Sequence, residues 1–455
     1  MALCSVLRAS PRRSFWSRCT ALTSSPSAQH KLAARFSTSG PPWRPSVALD
    51  DWVRREAKPI SLRQLTFFGR TLTESRLLSS ANYVRTELPT RIAHRLRDMQ
   101  TLPYNVVTNK HFSHVHELYY GAFERFRRVQ EILTLDDNDR FCKIVKETLR
   151  EHLTVIPRLA IGVLEVQDKM APEKTDKFMM TLLRSRISRR VIAEQHLALT
   201  ETFHSPWHFP DAKASHDPNS EFVGEIFLHC NAKEVVEGCA NAIKNLMQEA
   251  YGESTQLPEI KIEGHFDATF PYILSHLEYI IGELLRNSIQ AVIEQRKPKD
   301  ATPPPIEVLI CETAQHVMFR ISDQGGGIPR DILPHLWSFS KGPRKDIRLR
   351  NLHRVPKLAA TMQELRSEHP HEDKHFAQEE KGHSTHDSSL SRLTSRPPNL
   401  RLGVGLPMSR IYAEYWAGSL EIHSLEGYGV DAFLQISKLG NKNEQLTTRA
   451  IMDAV

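Results

Sequence analysis

Glu283, Asn287, Gln290 and Glu294 recur at intervals of four, three and four residues within PYILSHLEYIIGELLRNSIQAVIEQ, residues 271–295. On a helix this spacing aligns their side chains along one flank. An asparagine amide oxygen is a hard ligand suited to Mg²⁺, which keeps several waters and takes few protein ligands. Glu283, one turn earlier, could orient or deprotonate a nucleophile beside such a metal. A second stretch, Asp323-Gln324-Gly325-Gly326-Gly327-Ile328-Pro329, closes a strand pattern. An aspartate there can accept a hydrogen bond from the exocyclic amine of adenine, while Gly325 and Gly327 let the backbone pass close to a flat base. A third, Gly403-Val404-Gly405-Leu406-Pro407-Met408, runs into the helical pattern SRIYAEYWA. Bare N–H groups at glycines before a helix, with the helix N-terminus, can meet phosphates. Singly, the three patterns also occur as a solvated helix flank, a plain turn and an ordinary helix start. Their order, with strands between them, points to one nucleotide site.

The elements that must hold these stretches follow from periodicity. Ile273, Leu277, Ile280, Leu284 and Ala291, with Leu274, Ile281, Leu285 and Val292, give residues 271–295 the broad apolar face of a core-packed helix. From about residue 221 strands and helices alternate: EFVGEIFLH reads as a strand, VVEGCANAIKNLMQEAYGE as a helix ending near Gly252, and KIEGHF as a second strand. IEVLICE and HVMFRIS predict a hairpin with Ile306, Val308 and Ile310, and likewise Val317, Phe319 and Ile321, on single faces. GSLEIHSL and GVDAFLQIS predict another around Glu426-Gly427-Tyr428-Gly429. Upstream, four helix-period segments (70–100, 114–133, 139–169 and 175–201) with short connections suggest an up-down bundle. The expected fold is α+β: a helical bundle over 50–220, then a two-layer α/β sandwich over 221–440 with a mixed sheet, and a tail over 441–455. Residues 341–400 break the pattern, are charged, and hold six of the 22 histidines: His353, His369, His371, His375, His383 and His386. No pair there has ligand spacing with cysteine support, so the expectation is a partly disordered lid rather than a metal site.

ELLRNSIQAV, ISDQGGGIP and GVGLPMSRIYAEYWAGSLEIHSLEGYGVDAFL resemble the N-box, G1-box and G2-box of the ATP-binding fold shared by histidine kinases, Hsp90 chaperones, type II topoisomerases and MutL-type repair proteins. Together with YVRTELPTRIAHRLRDMQTLP, VHELYYGAFERF and SRISRRVIAEQHLAL, they resemble the mitochondrial kinases of pyruvate dehydrogenase and branched-chain 2-oxoacid dehydrogenase, over about residues 60–440. The resemblance implies a serine kinase that uses ATP and Mg²⁺ to phosphorylate, and so inhibit, the E1α subunit of such a complex. It implies Glu283 as general base, Asn287 as Mg²⁺ ligand, and Asp323 as adenine partner with Gly325 and Gly327 shaping the pocket. Gly403, Gly405 and Leu406 would cradle phosphates. A lipoyl domain of the E2 core and a second copy of the chain are implied partners. Tyr279 stands where the pyruvate dehydrogenase kinases usually carry histidine, and RIAHRL and QHLAL also favour the branched-chain enzyme as substrate, with pyruvate dehydrogenase second. SLEGYGVDA resembles the pyruvate dehydrogenase kinases at least as much, and the Asp-Trp pair that many of them carry near the C-terminus is missing. Gln324 replaces a common arginine. His196 resembles a histidine once suspected as a phospho-acceptor, but its apolar neighbours at helix spacing make it a bundle residue.

The composition sets the address. Residues 1–49 contain seven basic residues and no acidic one among many serines, the pattern of a mitochondrial transit peptide, with cleavage expected near Arg35 to Gly40. Removing them takes the net charge from +7 to about zero, so nucleic acid is not implied. No apolar run approaches the roughly 18 residues of a membrane span. Cys142, Cys230, Cys239 and Cys311 show no CxxC spacing, which predicts reduced, packed thiols. The expected location is the mitochondrial matrix.

Overall fold

The computed structural model describes residues 47–204, 222–252, 255–295, 302–358 and 400–446. Helices come first: α1 (Val47–Val53), α2 (Leu62–Arg70), α3 (Glu74–Gln100), α4 (Tyr104–Val107), α5 (Lys110–Arg127), α6 (Leu135–Glu151), α7 (Val155–Glu165) and α8 (Pro172–His204). Polar caps start them: Ser61 with Gln64 and Thr134 with Asp137 form capping boxes, and Thr73 and Asn109 cap α3 and α5. α3 packs against α5 and α8, and α5 against α7, giving the expected helical layer. The third expected helix is two. The chain tightens at His152–Thr154, and Pro157, lacking an N–H, fits the first turn of α7. The expected end of the targeting segment falls inside α1, where Leu49 is already buried. Residues 1–46, with the expected cleavage region, lie outside the described residues.

The sheets follow. β1 (Phe222–Val223), β2 (Ile226–Asn231) and β4 (Thr269–Ile273) form an antiparallel three-stranded sheet. β3 (Ile260–Gly264), β5 (Ile306–Glu312), β6 (His316–Asp323), β7 (Ser419–Leu425) and β8 (Gly429–Ser437) form a mixed sheet in the order β3-β5-β6-β8-β7, parallel only between β3 and β5. Three helices follow the strands in sequence or intervene: α9 (Ala232–Tyr251), α10 (Leu274–Gln295) and α12 (Gly405–Tyr415), with a short α11 (Lys345–His353) before α12. α10 packs on α9, α12 and β6, and α12 on β7 and β8, which forms the second layer of the sandwich. Both predicted hairpins are present, with Val308 opposite Ile321 and Ile310 opposite Phe319, all buried.

Three boundaries differ from expectation. Residues 221–229 are not one strand, because the chain turns at Gly224 (φ +61°) between β1 and β2. The helix expected from 271 starts at Leu274. Phe270, Tyr272 and Ile273 are buried in β4, and a short apolar run fits either period until its pairing partner is known. The segment expected to be a loop over 341–400 begins with α11, while residues 359–399 lie outside the described residues.

α8 is the spine. Every residue from Ser185 to Leu197 is buried, charged ones included, because α3, α6 and α7 pack on it and α12 of the sheet layer does too. Arg184 on α8 holds Glu414 on α12 at 2.6 Å. The C-terminal residues return to the same seam. The Glu444 N–H donates to the Ile60 carbonyl at 2.8 Å, and its carboxylate accepts from Arg91 Nη2 at 2.7 Å and from the Tyr415 hydroxyl. Arg91 also donates to Glu87 at 3.1 Å and to Ser188 Oγ at 2.5 Å, with every side chain of the ion pairs buried.

Candidate active site

Alternation along β6 buries Val317, Phe319 and Ile321 and then, two residues on, Asp323, which is 7% exposed. The strand period thus places a carboxylate on the inner face, under α10. Its Oδ2 accepts from Ser288 Oγ at 2.8 Å and its Oδ1 from the Gly325 N–H at 2.9 Å. Burial pushes this carboxyl above the ordinary range, against the opposing pull of the Gly325, Ser288 and Val430 donors.

The glycines after Asp323 are required by close approach. A Cβ on Gly325 would stand 2.5 Å from the Ala291 Cβ, and one on Gly327 (φ +73°) would stand 2.3 Å from the Leu425 carbonyl oxygen. The Gly326 N–H donates to Tyr428 at 3.0 Å, and Gly427 returns a bond to Gly326 at 2.8 Å. The loop is therefore sewn to the β7–β8 turn and pressed against α10.

On α10, Asn287 is the one exposed residue between Ser275 and Ile293. Glu283 is 7% exposed and accepts from Arg286 Nη1 at 3.1 Å. Gln290 is buried as well, so half of the polar flank is packed while Asn287 and Glu294 stay exposed. At the third stretch Gly403 takes φ +70° and α12 begins at Gly405. The Met408 N–H bonds Val404 at 3.0 Å and Pro407 has no N–H, so the Gly405 and Leu406 N–H groups stand at the helix end without intrahelical acceptors.

All of these residues line one cavity of about 610 Å³: Glu283, Asn287, Asp323, Gly325, Gly327, Gly403, Gly405 and Leu406. Residues from three separate stretches of the chain therefore line one cavity. Sequence reasoning missed Ser288, whose only signal is that it adjoins Asn287, and Arg401, which pairs at 2.6 Å with Glu294 of the polar flank; all three line the cavity. A nucleotide fits these groups: a carboxylate at one end, glycines where a Cβ would intrude, and a helix N-terminus for phosphates. Among the described residues no three His, Cys, Asp or Glu side chains gather to hold a metal ion. A metal at Asn287 would take few protein ligands and complete its shell from phosphate and water, as Mg²⁺ does.

Tyr279 is not among the residues lining the cavity; its ring packs against Tyr412 of α12 at 5.1 Å. His196 is fully buried in the helical layer, within 3.1 Å of Ser80 Oγ through Nδ1 and 3.0 Å of Asn138 Oδ1 through Nε2, as a bundle residue should be.

The chain matches the family model for mitochondrial branched-chain alpha-ketoacid dehydrogenase kinase over residues 59–227. Residues 273–439 match that for histidine kinase-, DNA gyrase B- and HSP90-like ATPases. It is 33% identical over 431 residues to mitochondrial [pyruvate dehydrogenase (acetyl-transferring)] kinase 2 of Saccharomyces cerevisiae, covering 88% of this chain and 86% of that one. The corresponding Arabidopsis thaliana kinase is 31% identical, covering 87% and 94% of the two chains. Human isozyme 4 is 24% identical, covering 87% and 85%. The chain belongs to the mitochondrial 2-oxoacid dehydrogenase kinase family. The kinase is thus a protein-serine/threonine kinase built on the histidine-kinase type of ATP-binding fold, and its ATPase-like match spans all three site stretches. No helix among its described residues is long and apolar enough to cross a membrane.

Proposed function

We propose that the kinase transfers the γ-phosphate of ATP, with Mg²⁺, to a serine of the E1α subunit of pyruvate dehydrogenase in the mitochondrial matrix, and so inhibits that enzyme. The observation that carries this reading is the convergence of Glu283, Asn287, Asp323 and Gly403–Leu406 on one cavity. Asp323 accepts the adenine amine, with Gly325 and Gly327 against the base. Gly403, Gly405 and Leu406 present N–H groups to the phosphates. Asn287 holds Mg²⁺, which when bound neutralises charge on the transferring group. Glu283 takes the proton of the serine hydroxyl. Positioning and charge neutralisation then supply most of the catalysis. Residues 50–220 serve as the helical region that docks on a lipoyl domain of the E2 core, and the chain works as a homodimer; both rest on family membership.

On the substrate, the expectation from sequence placed the branched-chain enzyme first, partly on Tyr279. Two observations support the reverse order. The full-length relatives named above act on pyruvate dehydrogenase by their names, and Tyr279 serves the contact between α10 and α12. The test is incubation of the purified protein with γ-labelled ATP and each purified E1 in turn. Label on pyruvate dehydrogenase E1α in excess of the branched-chain subunit is expected; label on neither sinks the reading, and the opposite ratio restores the branched-chain assignment.

A further inference from the structure

Arg348 lies on α11 and is only 6% exposed. Its guanidinium donates to four main-chain carbonyls: Nη2 to Phe339 at 2.9 Å and Gly403 at 3.3 Å, Nη1 to Lys341 at 3.0 Å, and Nε to Leu402 at 3.5 Å. Two of these carbonyls precede α11 and two belong to the stretch that leads into α12. One side chain therefore ties two segments about sixty residues apart in sequence. Glycine at 403 is what allows the approach, since a Cβ there would stand 2.3 Å from Arg348 Nε.

The Phe339–Lys341 side is itself anchored. Asp176, near the start of α8, accepts from the Phe339 N–H at 2.9 Å, the Ser340 N–H at 3.2 Å and the hydroxyls of Ser338 and Ser340. A carboxylate thus holds the N–H side of this short loop and a guanidinium its carbonyl side. In a trans peptide the carbonyl and the following N–H point opposite ways. With the Leu402 carbonyl turned to Arg348, the Gly403 N–H is turned away from it, and Gly403 also lines the cavity.

We propose that Arg348 is a positioning residue for phosphate binding, a resident cation whose bonds to Leu402 and Gly403 preset the Gly403–Leu406 loop so that its N–H groups meet the nucleotide's phosphates. This rests on the nucleotide reading of the cavity. The guanidinium touches no reacting atom in this assignment. It replaces the ordering that the loop would otherwise have to undergo on binding.

The test compares ADP with Mg²⁺ and adenosine as calorimetric ligands for the full chain and its Arg348→Gln and Arg348→Lys variants. Arg348→Gln should weaken ADP at least tenfold and change adenosine less than about twofold, because adenosine uses Asp323 and not the phosphate loop. Arg348→Lys, which keeps a charge and three donors, should recover most of the ADP affinity. Wild-type affinity for ADP in Arg348→Gln overturns the proposal, and so does a parallel loss of both ligands, which is what general loosening would give. If Arg348→Gln does not fold, Asp176→Asn carries the test from the other side of the loop: a loss selective for ADP supports the proposal, and no loss or a parallel loss overturns it. Failure of the wild-type protein to bind either ligand defeats the nucleotide reading itself, and this proposal with it.

Discussion

Ser288 Oγ stands 2.8 Å from Asp323 Oδ2, joining the middle of α10 to the last residue of β6. With the Gly325 N–H on the other carboxylate oxygen, both oxygens of a buried acid are engaged before any ligand arrives. Ser288→Ala should therefore cost the protein about 1–3 kcal/mol of stability, the range for a buried acceptor losing a donor. Because that donor favours the charged form, its loss should raise the Asp323 carboxyl further and move the acid limit of adenosine binding to higher pH. Denaturant midpoints and adenosine titrations across pH 4–7 check both parts; an unmoved acid limit refutes the coupling.

Glu283→Gln should retain nucleotide binding and lose roughly 10²–10⁴-fold in transfer, the usual contribution of a general base. The Gln carbonyl can still accept from Arg286, but the buried guanidinium loses a counter-charge, so the variant should be less stable and its folded state is checked before transfer is read. Single-turnover labelling of E1α with bound ATP separates binding from transfer, and near-normal transfer would remove Glu283 from the role.

Asn287→Ala removes an exposed side chain and should alter stability by no more than about 0.5 kcal/mol. It should abolish the Mg²⁺ dependence of nucleotide affinity. A Mg²⁺ titration at fixed ADP decides this, since an unchanged response would mean that the metal is held elsewhere.

Arg91 is a buried cation shared by Glu444 and Glu87, so removing it leaves two buried carboxylates without their counter-charge, whereas removing Glu444 leaves Arg91 its pair with Glu87. Arg91→Met should destabilise by about 3–5 kcal/mol, Glu444→Leu by less, and the double variant by clearly less than the sum. Urea unfolding of the four proteins measures the coupling; strict additivity would show that the pair contributes nothing as a pair.

Burial holds His116 and His196 down to about 4 and His152 also well below the usual imidazole range. In the unfolded chain each titrates near 6.5. The native state binds fewer protons than the unfolded state between these limits, so their contribution to stability is present above about pH 6.5 and is lost as pH falls toward 4. Asp323 and Glu444, raised by burial, act with the opposite sign, so the clean observable is a difference. The pH slope of stability for His196→Gln should be shallower than that of wild type by one proton, about 1.4 kcal/mol per pH unit. Parallel profiles for the two proteins would contradict the buried neutral state of His196.

The site was legible because its signals are local. DxGGG, GxGL before a helix, and Glu and Asn one turn apart each declare themselves within a few residues, and alternation along β6 even sets the face on which Asp323 lies. Arg348 and Asp176 left no such mark, since an arginine among other basic residues and a helix-start aspartate look like solvated charges until the carbonyls and N–H groups they hold are seen. The same holds for Arg186, Arg189 and Arg190 on α8, which are buried although charged. The burial of α8 is imposed by a second layer that only the fold brings to it. The early start expected for α10 failed because Phe270-Pro271-Tyr272-Ile273 satisfies both periods, and the pairing with β2 decided between them.

Arg91 meets Glu444 across 353 residues of sequence. During synthesis the helical layer leaves the ribosome long before Glu444 exists, so until then Arg91 has only Glu87 of its own helix as a counter-charge and its site on the seam is incomplete. Contacts this distant in sequence form late, and packing around α3 and α8 can be completed only when the last segment of the fold arrives. The emerging helices therefore need protection for the whole interval in which the ATP-binding layer is being made.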